Sequence, residues 1–142
     1  MTTVLVVDDA ADIRLLQRAV LDRSGFSVVE ADGGPDALAA LAREPRPDAV
    51  VLDVQMPVMD GWQTLAAIRS DPRLCDVPVI LCTVKAGPTD TERAWRAGCD
   101  GYLSKPFPIA RLVEEVETAL ARTVEQREAV RRAWLSRAEG ER

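Results

Sequence analysis

The sequence predicts an α/β fold: a doubly wound, five-stranded parallel sheet held between two helical layers, α/β/α. Three observations carry this. Five short β-branched runs alternate with segments of helical period, the pattern of strands joined by crossover helices. The first, third and fourth runs are almost continuously apolar, as strands buried on both faces are. The runs also end in reactive groups, with Asp8-Asp9, Asp53, Thr83 and Lys105 following four of them, at the edge where such sheets collect ligands.

Taken in order, TVLVV (3–7) is the first strand, and ADIRLLQRAVLDR (11–23) is a helix with Ile13, Leu16, Val20 and Leu21 on one stripe. SVVE (27–30) is the second strand. PDALAALAR (35–43) is a helix with Pro35 in its first turn, carrying Leu38, Leu41 and Ala42. DAVVL (48–52) is the third strand and GWQTLAAIRS (61–70) its helix. VPVILC (77–82) is the fourth strand, after which PTDTERAWRAG (88–98) starts on Pro88 and stops on Gly98. GYLS (101–104) is the fifth strand. From Pro108 a helical pattern meets no Gly or Pro until Gly140. If continuous it would be roughly 50 Å long, so a break or a projecting end is expected near residue 122.

A chain of 142 residues with 47 % hydrophobic content suits one compact domain with a sizeable core. No apolar run approaches the roughly 20 residues of a membrane span, and no basic leader with an apolar stretch and cleavage site opens the chain, so a cytoplasmic protein is expected. A net charge of −5 without a basic block argues against direct nucleic-acid binding. Cys75, Cys82 and Cys99 are odd in number and form no C-x-x-C, which favours reduced, non-catalytic thiols over a disulfide framework or a zinc site. Histidine is absent, which excludes Ser-His-Asp and Cys-His catalysis and histidine metal ligands. Chemistry here must come from carboxylates, hydroxyls, lysine or thiol.

VLVVDD (4–9) drives a buried run straight into two adjacent carboxylates. Two such charges about 5 Å apart repel by roughly 3 kcal/mol at an effective dielectric of about 20. In a doubly wound sheet the first and third strands are neighbours at the switch point, which brings Asp53 to the same edge. Three carboxylates in one shallow pocket suit Mg²⁺, a hard cation that takes few carboxylates and keeps some waters. Thr83 and Lys105 reach that edge from the fourth and fifth strands. Lys105 is one of two lysines against 16 arginines, and its compact ammonium does what a planar guanidinium does not. Three carboxylates, one divalent cation and one ammonium sum to zero, leaving a site able to accept a phosphoryl group. Singly, an Asp-Asp, a Thr or a Lys-Pro at a strand end is an ordinary cap, turn or solvated loop. Convergence of four strand ends is what gives them weight together.

VLVVDD, LDVQMPVMDGW (52–62), VILCTVKA (79–86) and AWRAGCDGYLSKPF (94–107), in this order, resemble the receiver domain of bacterial two-component response regulators of the chemotaxis-regulator-like kind, over about residues 1–121. The resemblance implies a flavodoxin-like (βα)5 fold and a phospho-switch that catalyses its own Mg²⁺-dependent phosphotransfer and dephosphorylation. It makes Asp53 the phosphoacceptor of a sensor histidine kinase or histidine phosphotransfer protein. It implies that Asp8, Asp9 and Asp53, with the backbone carbonyl of Gln55, bind Mg²⁺, or Mn²⁺ in its place. Lys105 would pair with phosphoryl oxygens ahead of a cis Lys105–Pro106 bond, and Thr83 with Tyr102 would form the switch couple. Output would pass to a downstream protein through the fourth helix, fifth strand and fifth helix. Met56-Pro57 and Asp60-Gly61 would lie in the loop after the phosphoacceptor. Val84 departs from the family, which keeps Ala, Gly or Ser there. A stiff β-branched side chain is expected to narrow access to the phosphoryl group and give an atypical phosphoryl lifetime, with Gln55 and Lys85 at flanking positions that tune it.

Residues 122–142 are expected to form a helical extension without an effector domain, carrying six Arg and four acidic residues. Val116, Leu120, Val124, Val130 and Trp134 make a sparse apolar line near the spacing of a coiled coil, interrupted at Arg127 and Arg137. The line reads either as a solvated helix or, through Trp134, as a self-association or partner contact, including a homodimer. Trp95 and Trp62 read as packing residues. Other classes fit less well. A phosphatase of the haloacid dehalogenase type wants Asp-x-Asp where this chain has Asp8-Asp9-Ala10, and a dinucleotide enzyme wants G-x-G-x-x-G there. A phosphorylation-independent scaffold would have lost one of Asp53, Lys105 or Thr83. A receiver fragment of a larger multidomain regulator remains open.

Overall fold

A computed structural model describes residues 1–84 and 87–140 of the chain. Five strands, β1 (Thr3–Val7), β2 (Ser27–Ala31), β3 (Ala49–Asp53), β4 (Val79–Thr83) and β5 (Gly101–Ser104), form one sheet in the order β2-β1-β3-β4-β5. Every pairing is parallel. The apolar β1, β3 and β4 are the three central strands, as their composition requires. The crossover helices are α1 (Ala11–Arg23), α2 (Gly34–Leu41), α3 (Gly61–Ser70) and α4 (Pro88–Ala97), followed after β5 by α5 (Ile109–Ala121) and α6 (Val124–Gly140). No helix among the described residues is long and apolar enough to cross a membrane.

Side-chain alternation along the strands gives the sheet two cores. Val4 and Val6 pack with Leu21 of α1 and with Leu112 and Val116 of α5. Leu5 and Val7 turn the other way, into Leu41, Leu65 and Ile68 of α2 and α3 and Trp95 of α4. Full burial of each large aliphatic side chain contributes about 1.5–3 kcal/mol, so this double layer fixes the strand register on which the sheet edge depends. The expected stripe on α1 needs one correction. Leu16 is exposed and Gln17 is buried, because Leu16 with Ile13 lines a surface groove against Val84, Pro106, Phe107 and Ile109 instead of entering the core.

Helix ends follow local chemistry. Asp60 caps α3: its Oδ1 accepts from Gln63 N at 2.9 Å, and Gln63 Oε1 accepts from Asp60 N at 3.0 Å. Gly98 closes α4 in the left-handed region at φ 98°, where an L side chain is strained. The long C-terminal pattern breaks where a break is expected, but the cause is neither Gly nor Pro. Arg122 is extended, and Thr123 with Gln126 forms a capping box that starts α6, with bonds of 2.8 and 3.1 Å. Thr123-x-x-Gln126 is the sequence signal for it.

The new helix does not project. It folds back on α4, and the apolar line expected to make one coiled-coil seam is divided. Val116 lies in the core on the α1–α5 side, Val130 and Leu135 pack against the opposite core, and Trp134 stacks on Trp95 with centroids 5.3 Å apart. Trp134 stacks within the chain while staying part-exposed, so the apolar line does not run as the single coiled-coil seam expected. Arg127, an interruption of that line in the sequence, is itself buried. Asp100, with a fully buried side chain, receives Arg69 Nη2 at 2.8 Å, Arg131 Nη1 at 2.7 Å and Arg127 Nη1 at 3.2 Å, and accepts Val79 N at 2.9 Å. Burial draws the Arg69 guanidinium below its ordinary pKa while Asp100 acts against that. Asp100→Ala would leave buried guanidiniums without their carboxylate. It is expected to cost about 3–5 kcal/mol, read as a lowered urea midpoint; a change under 1 kcal/mol would mean that the cluster is solvated.

Candidate functional site

Asp8, Asp53, Thr83 and Lys105 lie at the carboxyl edge of the sheet because their strands end there, whereas Tyr102 sits within β5 (Gly101–Ser104). Asp53 is the last residue of β3 and Thr83 the last of β4, while Asp8 follows β1 and Lys105 follows β5. Asp8, Asp53 and Thr83 are buried and Asp9 is exposed. Asp8, Asp9 and Asp53 each offer a carboxylate oxygen within 4.8 Å of the others. Lys105 Nζ bridges two of them, donating to Asp8 Oδ2 at 3.1 Å and Asp53 Oδ1 at 3.2 Å. The Lys105–Pro106 bond is cis, and Lys105 N donates to the Thr83 carbonyl at 2.7 Å, which fixes where the lysine side chain begins.

The electrostatics are those of crowded anions with one cation among them. Burial, then Asp8, pushes the Asp53 carboxyl above its usual range, and Lys105 opposes this without cancelling it. For Lys105, burial works to lower the ammonium, but Asp53 and Asp8 outweigh it and hold its pKa above the ordinary lysine value. The thiols stand outside this chemistry. Burial pushes the Cys82 thiol up to about 12 and raises Cys99 as well, so both stay protonated.

The loop after β3 is tightly fixed. Gly61 N donates to the Val54 carbonyl at 2.8 Å, and a Cβ at Gly61 would stand 2.5 Å from the Asp53 carbonyl oxygen. Only glycine permits that approach. Gln55 follows on this loop and is exposed, while Met56 is buried. Thr83 and Tyr102 share one face of the sheet, since Tyr102 pairs with Leu81 two residues before Thr83. The phenol is half-buried; burial and Asp90 raise its pKa, and a hydrogen bond with Thr91 of α4 opposes them. Val84 is exposed on the apolar groove beside Lys105; Lys85 lies outside the described residues. Trp95 is buried as expected, with α6 as part of its cover, and Trp62 is half-buried beneath the Arg93 guanidinium at 4.2 Å.

One residue at the edge was not legible in the sequence as a site residue. Arg14 Nη1 donates to the Asp8 carbonyl at 2.7 Å while its Nε reaches Glu30 at 3.3 Å. It ties the acidic loop to β2, and its only sequence signal is a lone Arg one turn into α1.

Residues 4–117 match the family of response regulator receiver domains. The chain belongs to that family. The transcriptional regulatory protein PrrA of Mycobacterium tuberculosis is 43 % identical over 119 residues, covering 84 % of this chain and 50 % of PrrA; the chain thus spans about half the length of that relative. The polar-differentiation response regulator DivK of Brucella anthropi is 34 % identical, with 83 % of this chain and 95 % of DivK covered. Among solved structures, the chemotaxis response regulator CheY4 of Vibrio cholerae superposes with a TM-score of 0.77 at 32 % identity, covering 84 % of this chain and 98 % of CheY4. The receiver fold is therefore flavodoxin-like, with α6 added to it.

A carboxyl held above its ordinary pKa in the folded state opposes folding once it ionises, and the penalty vanishes below its unfolded value. In this receiver, Asp53→Asn removes that charge yet keeps an oxygen for Lys105. With chelator present it is expected to raise the Tm by a few degrees at pH 7, the gain shrinking as pH falls toward about 4. Thermal melts across that range check it; a gain equal at pH 4 and pH 7 would assign the effect to packing.

Proposed function

We propose that this receiver is a phosphoacceptor response regulator of a two-component phosphorelay, phosphorylated on Asp53 and signalling by protein contact. Residues 1–121 are the receiver unit and 122–142 an extension that is helical over Val124–Gly140. The observation that carries the reading is the bridged acidic cluster, Asp53 beside Asp8 and Asp9 with Lys105 Nζ shared at 3.1 and 3.2 Å. Three hard oxygen donors within 4.8 Å of one another suit a divalent cation of the Mg²⁺ or Mn²⁺ kind, and offer neither thiol nor imidazole to softer metals. Asp8, Asp9 and Asp53 would hold it with the Gln55 carbonyl. Once bound, the ion offsets negative charge on the phosphoryl oxygens.

The chain's own groups do the remainder. An Asp53 oxygen attacks phosphorus in line, the phosphorus–nitrogen bond to the donor imidazole breaks, and its electron pair leaves on that nitrogen. Lys105 meets an equatorial phosphoryl oxygen, exchanging its two carboxylates for the new anion. Attack by water later releases phosphate and restores the carboxylate. The Thr83 hydroxyl turns toward the acyl phosphate, and Tyr102, on the same face, follows into the space it leaves. Moving such a two-state equilibrium from 1:99 to 99:1 needs about 5.5 kcal/mol, within reach of a few charge-assisted hydrogen bonds.

The donor is a sensor histidine kinase or a histidine phosphotransfer protein in the cytoplasm, and the output passes through α4, β5 and α5 to a downstream protein. PrrA, of which the chain matches one half, supports the alternative that this is the receiver unit of a larger regulator; the chemistry at Asp53 is the same in both.

Incubation with Mg²⁺ and a small acyl phosphate is expected to add the mass of one phosphoryl group, and Asp53→Asn or chelator to abolish the gain. An adduct retained in Asp53→Asn would move the acceptor elsewhere. Val84→Ala widens the approach beside Lys105 and is expected to change phosphoryl turnover several-fold, measured as decay of the adduct; unchanged decay would remove Val84 from the account.

A further inference from the structure

α6 is fastened at two points along its length to different parts of the fold. Trp134 lies flat on Trp95 of α4, with centroids 5.3 Å apart and planes 7° from parallel. One and two turns earlier, Arg131 and Arg127 reach Asp100, which lies between α4 and β5, at 2.7 and 3.2 Å. Arg127 also donates to the Asp76 carbonyl at 2.6 Å, ahead of β4, and Arg131 to the Gly98 carbonyl at 3.4 Å. One anchor thus rides on α4 and the other on the amino-terminal end of the sheet. Between them is a cavity of about 520 Å³ whose walls include Thr91, Trp95, Tyr102, Thr118, Val130 and Trp134. Tyr102 is the part of that wall contributed by the switch, and α6 closes the side facing it.

We propose that α6 is a releasable cover over the α4–β5–α5 face, held down in the resting chain and let go when Asp53 is phosphorylated. The inference rests on the phosphoacceptor reading and extends it to the segment outside the receiver match. Both anchors are satisfied only while α4 keeps its position relative to the start of β5. Two links tie that position to the site. Thr91 of α4 is hydrogen-bonded to Tyr102, and α4 begins at Pro88, five residues after Thr83. Drawing Thr83 toward the phosphoryl group and turning Tyr102 inward removes a wall of that cavity and displaces the partner of Thr91. The Trp95–Trp134 stack and the Asp100 pairs then cannot both keep their geometry. With the stack lost, α6 has few apolar contacts left: Val130 and Leu135 are its other contributions to the core. Segments with so little buried apolar surface open at low free energy. Release exposes Trp95 and Tyr102, the surface through which output is proposed to pass.

Amide exchange over residues 124–140 of the full chain tests this, resting and saturated with Mg²⁺ and fluoroberyllate as a stable mimic of the acyl phosphate. Exchange is expected to quicken about tenfold or more with the mimic, together with tryptic cleavage after the buried Arg127, and neither to change in Asp53→Asn. Trp134→Ala is expected to exchange fast without the mimic, and it leaves the acidic site intact. If native mass shows the adduct formed but exchange and cleavage stay at resting rates, or slow, the release is overturned while the phosphoacceptor reading stands. Resting-rate exchange in Trp134→Ala overturns the cover as well. If no adduct forms, the phosphoacceptor reading fails, and the release with it.

Discussion

Lys105 Nζ between Asp8 and Asp53, at 3.1 and 3.2 Å, is the contact around which the carboxyl edge of this sheet is organised. Without a cation there, two buried carboxylates and an exposed third would repel by several kcal/mol at the effective dielectric of a protein interior. The ammonium opposes that repulsion, yet burial first and Asp8 second still hold the Asp53 carboxyl above its ordinary pKa. The site is therefore stable enough to fold and strained enough to favour more positive charge or a rearranged anion. Its backbone supports belong to the same solution: the Lys105 N–H on the Thr83 carbonyl, and Gly61 against the β3 end.

A second buried charge cluster mirrors it at the opposite end of the sheet. There one carboxylate, Asp100, serves three guanidiniums, with backbone carbonyls of Asp76, Gly98, Cys75 and Val77 absorbing donors that it cannot. At the carboxyl edge anions exceed cations, and the chemistry is exchangeable. At the other end cations exceed anions, and the result is a joint that fastens α6 to the receiver. Tyr102, between Thr91 and the cavity under Trp134, stands between the two.

Much of this was legible in the residues. The β-branched runs and their order gave the sheet, since a central parallel strand must be apolar on both faces. Asp8, Asp9, Asp53, Thr83 and Lys105 were legible because a strand end fixes which edge a residue reaches, whatever the details of packing. The C-terminal helix was legible only in part. The break near residue 122 follows from the length of the pattern, but a Thr-x-x-Gln at 123–126 is weak as a lone capping signal, and an apolar line spaced for a coiled coil hides the fact that α5 and α6 bury their apolar residues against different cores. Arg127 looked like a flaw in that line because a single sequence shows an arginine as a charge and not as half of a pair.

The sequence by itself determined the fold class, the edge at which the reactive groups gather, and the family, because alternation, periodicity and strand-end chemistry are local properties of the chain. The tertiary structure decided what α6 does. Asp100 lies 27 and 31 residues from its two partners on that helix, and Trp95 lies 39 from Trp134. No local pattern couples residues so far apart; only the packed sheet, by setting where α4 ends and β5 begins, brings them within bonding distance.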